Sequence, residues 1–300
     1  MSTAVGVIGL GAMGMGMAKS LRRGGYEVRV FDLRHEAATA FASEGGVACA
    51  SPAELARGCG VVFSVVVNAE QTESVLFGPD GVAAAMQAGS IFVMCSTVSP
   101  AIAVAWEKRL EAMGLLFLDA PISGGAARAA SAEMTMMTAG KPAAYAGCEA
   151  MLNALAGKVY KLGNTAGNGS KVKIINQLLA GVHIAAAAEA MALGLREGVD
   201  AADLYEVITH SAGNSWMFEN RMAHVLSGDY TALSAVDIFV KHLGLVLDTA
   251  RASKFPLPLS AAAHQMFMMA STAGYAREDD SAVIKIFPGI ELPAGKGTAK

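Results

Sequence analysis

Apolar residues in the first half of the chain fall into short runs separated by helical stretches. The runs are 4–8, 27–31, 61–67, 90–95, 115–119, 134–138 and 159–162. The run 61–67 is nearly continuous rather than alternating, as expected for a parallel strand that is buried on both faces. Strands that alternate with helices in this way predict a doubly wound parallel sheet with right-handed crossovers.

After Gly169 the periodicity becomes helical. The stretch 170–196 lacks proline and predicts one helix of about 26 residues, or about 40 Å. Further helices are predicted over 201–212, 215–227, 235–252, 258–273 and 279–287. Ser234 and Asp237 have the spacing of a capping box. We therefore predict a Rossmann α/β domain over 1–163 and an all-α domain over 164–300, joined by the long helix.

A glycine-rich turn follows the first strand, with the sequence Gly9-Leu10-Gly11-Ala12-Met13-Gly14. In such turns the first glycine permits the tight turn, the second admits a pyrophosphate, and the third lets the helix pack on the strand. The second strand ends in Asp32, 18 residues after Gly14, where a carboxylate binds the adenosine ribose hydroxyls. The pair predicts a dinucleotide site, and a purely structural glycine turn is the alternative.

A second motif, Asp119-Ala-Pro-Ile-Ser-Gly-Gly125, ends another predicted strand. Open α/β sheets bind ligands at the carboxyl ends of their strands. The Ser123 hydroxyl and the bare N–H groups of Gly124 and Gly125 form a candidate nest for a carboxylate. A tight turn that merely needs glycine is the alternative interpretation.

Two lysines near the start of the long helix point to nearly opposite sides, since successive helical residues turn by about 100°. Lys171 shares its side with apolar residues, whereas Lys173 shares its side with Asn176 and Gln177. A polar side suits a cleft that admits a polar substrate, so Lys173 is the better candidate for acid–base chemistry. An ordinary exposed lysine is the alternative.

Three further candidates are weaker when taken alone. Ser96 and Thr97 follow the strand ending at Cys95, where a nicotinamide would pass, and each is otherwise an ordinary strand-end hydroxyl. Lys241 stands four residues after Asp237, which is the spacing of a common helix ion pair.

Composition excludes several classes. Of 300 residues 53% are hydrophobic and 16% charged, and the net charge of −3 gives no electrostatic case for nucleic acid. The apolar stretch 174–195 contains Asn176, Gln177, His183 and Glu189, which predicts a buried helix and no membrane span. The four cysteines form no C-x-x-C, and the first strand leaves no room for a signal peptide. We expect reduced thiols, no metal site and a cytoplasmic location.

Taken together, these motifs resemble those of the β-hydroxyacid dehydrogenase family, which includes 3-hydroxyisobutyrate dehydrogenase and tartronate semialdehyde reductase. The resemblance covers nearly the whole chain and rests on the glycine turn, Ser96-Thr97 with Pro100, the Asp119 motif, Gly167-x-Gly169 with Lys173, and Lys241 with Leu243. Within the family, the stretches 66–69, 124–130, 172–185, 213–222 and 278–287 resemble the enzymes that act on L-threonate.

The resemblance implies NAD-dependent oxidation of a short-chain hydroxy acid, with L-threonate converted to 2-dehydro-L-erythronate. Lys173 is then the acid–base residue, Ser123-Gly124-Gly125 hold the substrate carboxylate, and we expect Asn176 and Gln177 to bind substrate hydroxyls. The residues expected to bind NAD are the glycine turn, Asp32, Asn68, Ser96, Thr97 and Lys241. A homodimer or homotetramer built through the helical domain is also implied.

Three alternatives stay open: reduction of tartronate semialdehyde, oxidation of 3-hydroxyisobutyrate, and nucleotide binding without turnover. The chain also departs from the family pattern at three positions. Gln177 replaces an asparagine, His242 replaces an aspartate after Lys241, and Met94 replaces an acidic residue two positions before Ser96.

Overall fold

The computed structural model describes residues 4–294, and the chain divides into two compact units, 1–173 and 174–300. The predicted boundary at 163/164 lies in the loop before the long helix, whereas the two units divide inside that helix. The strands are β1 Ala4–Ile8, β2 Glu27–Phe31, β3 Val47–Ala48, β4 Val61–Ser64, β5 Ile91–Met94, β6 Leu116–Asp119, β7 Ile122–Ser123, β8 Met134–Gly140 and β9 Ala156–Lys161.

Helices separate most of these strands. In the first unit they are α1 Gly14–Arg23, α2 His35–Ser43, α3 Pro52–Ala56, α4 Ala69–Phe77, α5 Pro100–Ala112, α6 Gly125–Ser131 and α7 Pro142–Leu155. The strand order is β3-β2-β1-β4-β5-β6-β8-β7, with β9 beside β8. Neighbours from β3 to β6 are parallel, while β8 runs antiparallel to β6 and β7. The predicted doubly wound sheet is confirmed, and the antiparallel strand extends it.

Both faces of this sheet are buried, which explains why the strands are continuously apolar. On β1, Val5 and Val7 join one apolar cluster while Ala4 and Ile8 join the other. The alternation of side chains along a strand therefore divides the core of the first unit into two layers.

The second unit is helical, as predicted. Helix α8, Asn168–Arg196, crosses the division between the units, and α9 Ala201–Thr209, α10 Trp216–Ser227, α11 Val236–Ala252 and α12 Pro258–Ala270 follow it. A π turn at Ser271–Tyr275 and a 3₁₀ helix at Asp280–Ile286 complete the described part of this unit.

Length and composition alone would allow α8 to cross a membrane. Its residues Ile184, Ala188 and Met191 instead lie in the apolar core of the second unit, where Phe239 and Phe267 also pack. One side of α8 thus packs in that core.

The predicted capping box is wrong. Ala235 occupies the N-cap of α11 and makes no side-chain capping bond. The Ser234 carbonyl accepts a hydrogen bond from the Asp280 N–H, and the Asp237 carboxylate accepts one from the Ser271 hydroxyl. Both residues are instead hydrogen-bonded to residues that are distant in sequence, and the local spacing does not reveal those partners.

Candidate active site

The outer glycines of the turn after β1 are required by the protein itself. Gly9 has φ of +92°, and a Cβ there would lie 2.7 Å from the Val65 carbonyl oxygen. A Cβ on Gly14 would lie 1.8 Å from the Gly9 carbonyl oxygen. The strand, the turn and α1 therefore pack too closely for any side chain at either position.

Gly11 differs from both, because a Cβ there would meet no protein atom within 4 Å. Packing does not explain this glycine, whereas close approach of a ligand to the backbone does. Leu10 is buried, Ala12 is exposed, and Met13 is half-buried at the N-cap of α1. The bare backbone beside the N-terminus of α1 fits a pyrophosphate.

Asp32 lies beside this turn, at the end of β2. Its carboxylate accepts hydrogen bonds from the Leu10 N–H at 2.6 Å and from the Arg34 N–H at 2.8 Å. Burial alone would raise the pKa of Asp32, but these bonds and the nearby guanidinium hold that pKa below its ordinary value. The Arg34 side chain also donates a hydrogen bond to the Leu10 carbonyl oxygen at 3.2 Å. The Asp32 carboxylate and the Arg34 guanidinium therefore lie together at the predicted ribose position.

Asn68 and Ser96 have structural partners at the carboxyl ends of β4 and β5. Asn68 caps α4 by accepting a hydrogen bond from the Gln71 N–H. The Ser96 hydroxyl donates to the Val66 carbonyl oxygen at 2.7 Å and lies 3.0 Å from the Thr72 hydroxyl. Thr97 is half-buried next to them. Asn68 and Ser96 therefore brace the loops at this edge, whatever those loops bind.

The Ser123 loop begins on β7, where Ser123 pairs with Thr135. Gly124 and Gly125 have φ of +132° and +75°, so the backbone itself favours glycine at both. A Cβ on Gly124 would also lie 3.0 Å from the Cβ and Cδ atoms of Arg128. The aliphatic part of an arginine thus covers this loop, which sequence reasoning overlooked.

The two lysines of α8 differ sharply in environment. Lys171 is exposed, and its Nζ lies 3.4 Å from the Asn168 side-chain oxygen. Lys173 is only 6% exposed. The helix therefore buries the lysine that was predicted to act and leaves its neighbour in solvent.

Asp119 was overlooked as a site residue, although it opens the motif that contains Ser123. It is fully buried, and one carboxylate oxygen accepts hydrogen bonds from the N–H groups of Gly167 at 2.8 Å and Ser170 at 2.9 Å. The other oxygen accepts one from the Ser170 hydroxyl at 2.7 Å. The sequence did carry a signal for Asp119. It is an acid at the end of a predicted strand, and the glycine pair Gly167 and Gly169 stands much later in the chain.

In the second unit three polar side chains form a chain of hydrogen bonds. The Asn176 amide donates to the Gln177 carbonyl oxygen at 3.0 Å, and Gln177 Nε2 lies 2.7 Å from His242 Nδ1. Gln177 and His242 are both buried. His242 is one of the three positions at which the chain departs from the family pattern, and Lys241 precedes it on α11.

Met94 is buried in an apolar cluster, and its backbone carbonyl accepts a hydrogen bond from the Ala120 N–H at 2.9 Å. This backbone bond between strand ends does not depend on the side chain at position 94. The four cysteines are free and buried, and burial raises the pKa of Cys59 and Cys148 to about 12. The burial of all four cysteines agrees with the sequence-based expectation.

Two family models match successive parts of the chain. The model described as the NAD-binding domain of 6-phosphogluconate dehydrogenase matches residues 4–163. The model described as NAD-binding of NADP-dependent 3-hydroxyisobutyrate dehydrogenase matches residues 167–287.

Full-length relatives match as well. An L-threonate dehydrogenase of Cupriavidus necator is 71% identical over 98% of this chain and 99% of that protein. An L-threonate dehydrogenase of Escherichia coli K12 is 52% identical over 97% of each. A crystal structure of a 3-hydroxyisobutyrate dehydrogenase from Salmonella typhimurium is 54% identical, covers 95% of this chain and 99% of that one, and superposes with a TM-score of 0.91.

Proposed function

The chain belongs to the 3-hydroxyisobutyrate dehydrogenase-like family of nicotinamide-dependent β-hydroxyacid dehydrogenases, and from that premise we propose that it oxidises L-threonate to 2-dehydro-L-erythronate with NAD. The observation that carries the proposal is full-length identity of 71% and 52% to two L-threonate dehydrogenases. Identity of this extent to dehydrogenases also argues against a nucleotide-binding module without turnover.

The residues that would hold NAD are the open backbone at Gly11, the carboxylate of Asp32, and the strand-end residues Asn68, Ser96 and Thr97, together with Lys241. NAD held by these residues would supply the hydride acceptor for the oxidation. The protein supplies position and charge. The backbone N–H groups at the start of α1 would hold the pyrophosphate, and the Asp32 carboxylate would accept hydrogen bonds from the ribose hydroxyls.

In this proposal the substrate carboxylate binds the loop Ser123-Gly124-Gly125. The loop supports this role because neither Gly124 nor Gly125 has a side chain of its own, and the Arg128 side chain lies beside Gly124. The positive φ of Gly124 and Gly125 explains the glycines without any ligand, so this part of the proposal also depends on the family resemblance.

Lys173 takes the proton of the substrate hydroxyl as the C–H bond breaks. Its burial supports this role, because a general base must be held in one place and shielded from bulk water. The exposed Lys171 has no such shielding, which is the reason to prefer Lys173.

Asn176 and Gln177 are proposed to select a substrate with several hydroxyl groups. Both polar ends of the Gln177 amide already have protein partners, Asn176 and His242. Gln177 therefore acts mainly by orienting its two neighbours, Asn176 and His242.

Oxidation of 3-hydroxyisobutyrate is the second candidate function. The observation that favours it is the Salmonella typhimurium structure, which carries that name at 54% identity. Reduction of tartronate semialdehyde is a third option, which rests on the family resemblance alone.

We also propose a cytoplasmic homo-oligomer formed through the helical unit. The free, buried cysteines support a reducing compartment. Three large apolar residues of α8 are exposed on one side of the helix: Ile175 (59%), Leu179 (50%) and Leu193 (62%). An exposed apolar stripe of this kind is typical of an interface. Light scattering of the wild type and of Leu179→Glu tests this, and a monomeric wild type would contradict it.

The experiment that tests the function is a turnover assay with NAD and a panel of short hydroxy acids. We expect the highest kcat/KM with L-threonate, by about tenfold or more over 3-hydroxyisobutyrate, because a site built for hydroxyl groups discriminates strongly against their absence. A higher value with 3-hydroxyisobutyrate would favour the second candidate, and no turnover of any acid would contradict both.

A further inference from the structure

The Asp119 carboxylate joins two parts of the first unit that are distant in sequence. It lies at the end of β6 and accepts hydrogen bonds from the start of α8: from the N–H of Gly167, just before the helix, and from the N–H and hydroxyl of Ser170 in its first turn. The N–H groups at a helix start lack partners within the helix. Asp119 supplies those partners from the sheet instead of from a neighbouring residue of the helix.

The strand end that bears Asp119 is firmly fixed. Asp119 is in register with Met94 on β5 and with Ala139 on β8, so strands on both sides hold its backbone. The helix start lies directly against these strands. A Cβ on Gly169 would lie 2.5 Å from the Met137 carbonyl oxygen and 2.8 Å from that of Asp119. The first turn of α8 therefore has little freedom to shift while the carboxylate holds it.

Lys173 follows Ser170 by three residues, or about 4.5 Å along the helix axis. Residues three apart lie on the same side of a helix, so the side held by Asp119 is the side that carries Lys173. Ser123 follows Asp119 by four residues along the chain. The chain from this strand end thus leads directly into the loop proposed to bind the substrate carboxylate, and the Asp119 side chain holds the turn that precedes the proposed base.

We propose that Asp119 is a positioning residue for the reaction, which sets Lys173 relative to the Ser123-Gly124-Gly125 loop through the first turn of α8. This inference rests on the proposed function, because it takes Lys173 as the base. Correct placement of a reacting group is worth large factors in rate, and a displacement of about 1 Å reduces the rate about 10²-fold.

The competing explanation is that Asp119 only stabilises the fold. Glu107 provides a matched control, because it is also a buried acid and accepts a hydrogen bond from the Ala166 N–H at 3.0 Å. It holds the loop just before α8 but has no bond to the first turn that includes Ser170. If Asp119 has only a structural role, the two acids should behave alike.

The test compares Asp119→Ala, Asp119→Asn and Glu107→Ala in the full-length protein, using the acid that the turnover panel shows to be most active. We expect Asp119→Ala to lower kcat by about tenfold to a hundredfold while the KM for NAD changes by less than about twofold. Asp119→Asn should restore most of kcat, because its oxygen can accept the two N–H bonds and its amide can donate to Ser170. Glu107→Ala should keep wild-type kcat.

Hydrogen exchange of residues 167–173 provides a second measurement that is independent of turnover. We expect faster exchange there in Asp119→Ala and wild-type exchange in Asp119→Asn. Unchanged exchange or unchanged kcat in Asp119→Ala would overturn the proposal, and so would an equal loss of kcat in all three variants. If Asp119→Ala does not fold, Ser170→Ala removes one of the bonds, and an unchanged kcat in that variant would equally overturn it.

Lys173→Ala, measured in parallel, separates this inference from the function on which it rests. Full activity in Lys173→Ala would show that the proposed base is wrong. An inactive Lys173→Ala together with a fully active Asp119→Ala would overturn only the role of Asp119.

Discussion

Gln177 Nε2 lies 2.7 Å from His242 Nδ1, which brings together two of the three positions at which the chain departs from the family pattern. The bond from Asn176 to the Gln177 oxygen orients the Gln177 amide, so Gln177 Nε2 must donate to His242 Nδ1. The network therefore places the proton of the neutral imidazole on His242 Nε2. A longer amide and an imidazole replace a shorter amide and a carboxylate, and the two replacements contact each other.

Gln177→Leu should lower kcat/KM for L-threonate more than for 3-hydroxyisobutyrate. The change leaves the buried His242 Nδ1 without its donor, at a cost of about 1–3 kcal/mol. The matched control is the double variant Gln177→Leu/His242→Leu, which should lose less than the sum of the two single variants. Equal losses of kcat/KM for the two acids would show that Gln177 supports the structure and does not select the substrate.

Lys173→Ala should reduce kcat by about 10²–10⁴-fold, the usual loss when a general acid or base is removed. The fold and the Kd for NAD should not change, and both can be measured by thermal unfolding and fluorescence titration. Lys171→Ala is the control, and it should retain wild-type kcat because its side chain is exposed. An inactive Lys171 variant with an active Lys173 variant would reverse the assignment.

Gly11→Ala should weaken NAD binding by about tenfold, or 1.4 kcal/mol, without lowering the Tm. A Cβ at Gly11 meets no protein atom within 4 Å, so only a ligand can clash with it. Gly14→Ala is the opposite case, because its Cβ would lie 1.8 Å from a backbone oxygen. That variant should unfold about 1–3 kcal/mol more easily, or more. A normal Kd for NAD in Gly11→Ala would contradict the predicted cradle.

The wild type should have a higher kcat/KM with NAD than with NADP, because the Asp32 carboxylate repels a 2′-phosphate. Arg34 contacts the same turn, and its guanidinium could bind that phosphate. Asp32→Ser, with Arg34 retained, should therefore lower the ratio of kcat/KM with NAD to kcat/KM with NADP by about tenfold or more. Steady-state kinetics with both cofactors decide this, and a wild-type preference for NADP would contradict the role of Asp32.

His224→Asn should destabilise the protein more at pH 6 than at pH 9. The hydrogen bond that His224 Nδ1 donates to the Asp279 carboxylate, at 2.9 Å, raises the pKa of His224 above its ordinary value of 6.5. The pair therefore contributes its full stability below that value, and the contribution is lost as pH rises through the folded pKa. Asp279, whose pKa is held at about 2, stays ionised throughout this range.

The expected loss of unfolding free energy in His224→Asn is about 1–2 kcal/mol at pH 6. Urea unfolding at the two pH values measures it, and His210→Asn, at the exposed residue that directly follows α9, serves as the control. An equal loss at both pH values would exclude a charged His224–Asp279 pair.

Much of the fold follows from local pattern. The continuous apolar runs gave the positions of β1, β2, β4, β5 and β6, because strands buried on both faces have no polar side to interrupt them. The two-residue strands β3 and β7 escaped prediction, since two residues carry no periodicity. Ser123 nevertheless lies on β7, so a strand too short to detect helps to position a predicted site residue.

The sequence by itself placed the glycine-rich turn after β1 and Asp32 at the end of β2, and it favoured Lys173 over Lys171 as the proposed base. Each of these depends on spacing within one strand, turn or helix, and such spacing is fixed by the backbone geometry of the element. Tertiary structure alone decided that Asp119 holds the first turn of α8 and that Gln177 meets His242. These partners are 51 and 65 residues apart. Contacts at that distance depend on how whole elements pack, and no local period in the chain records them.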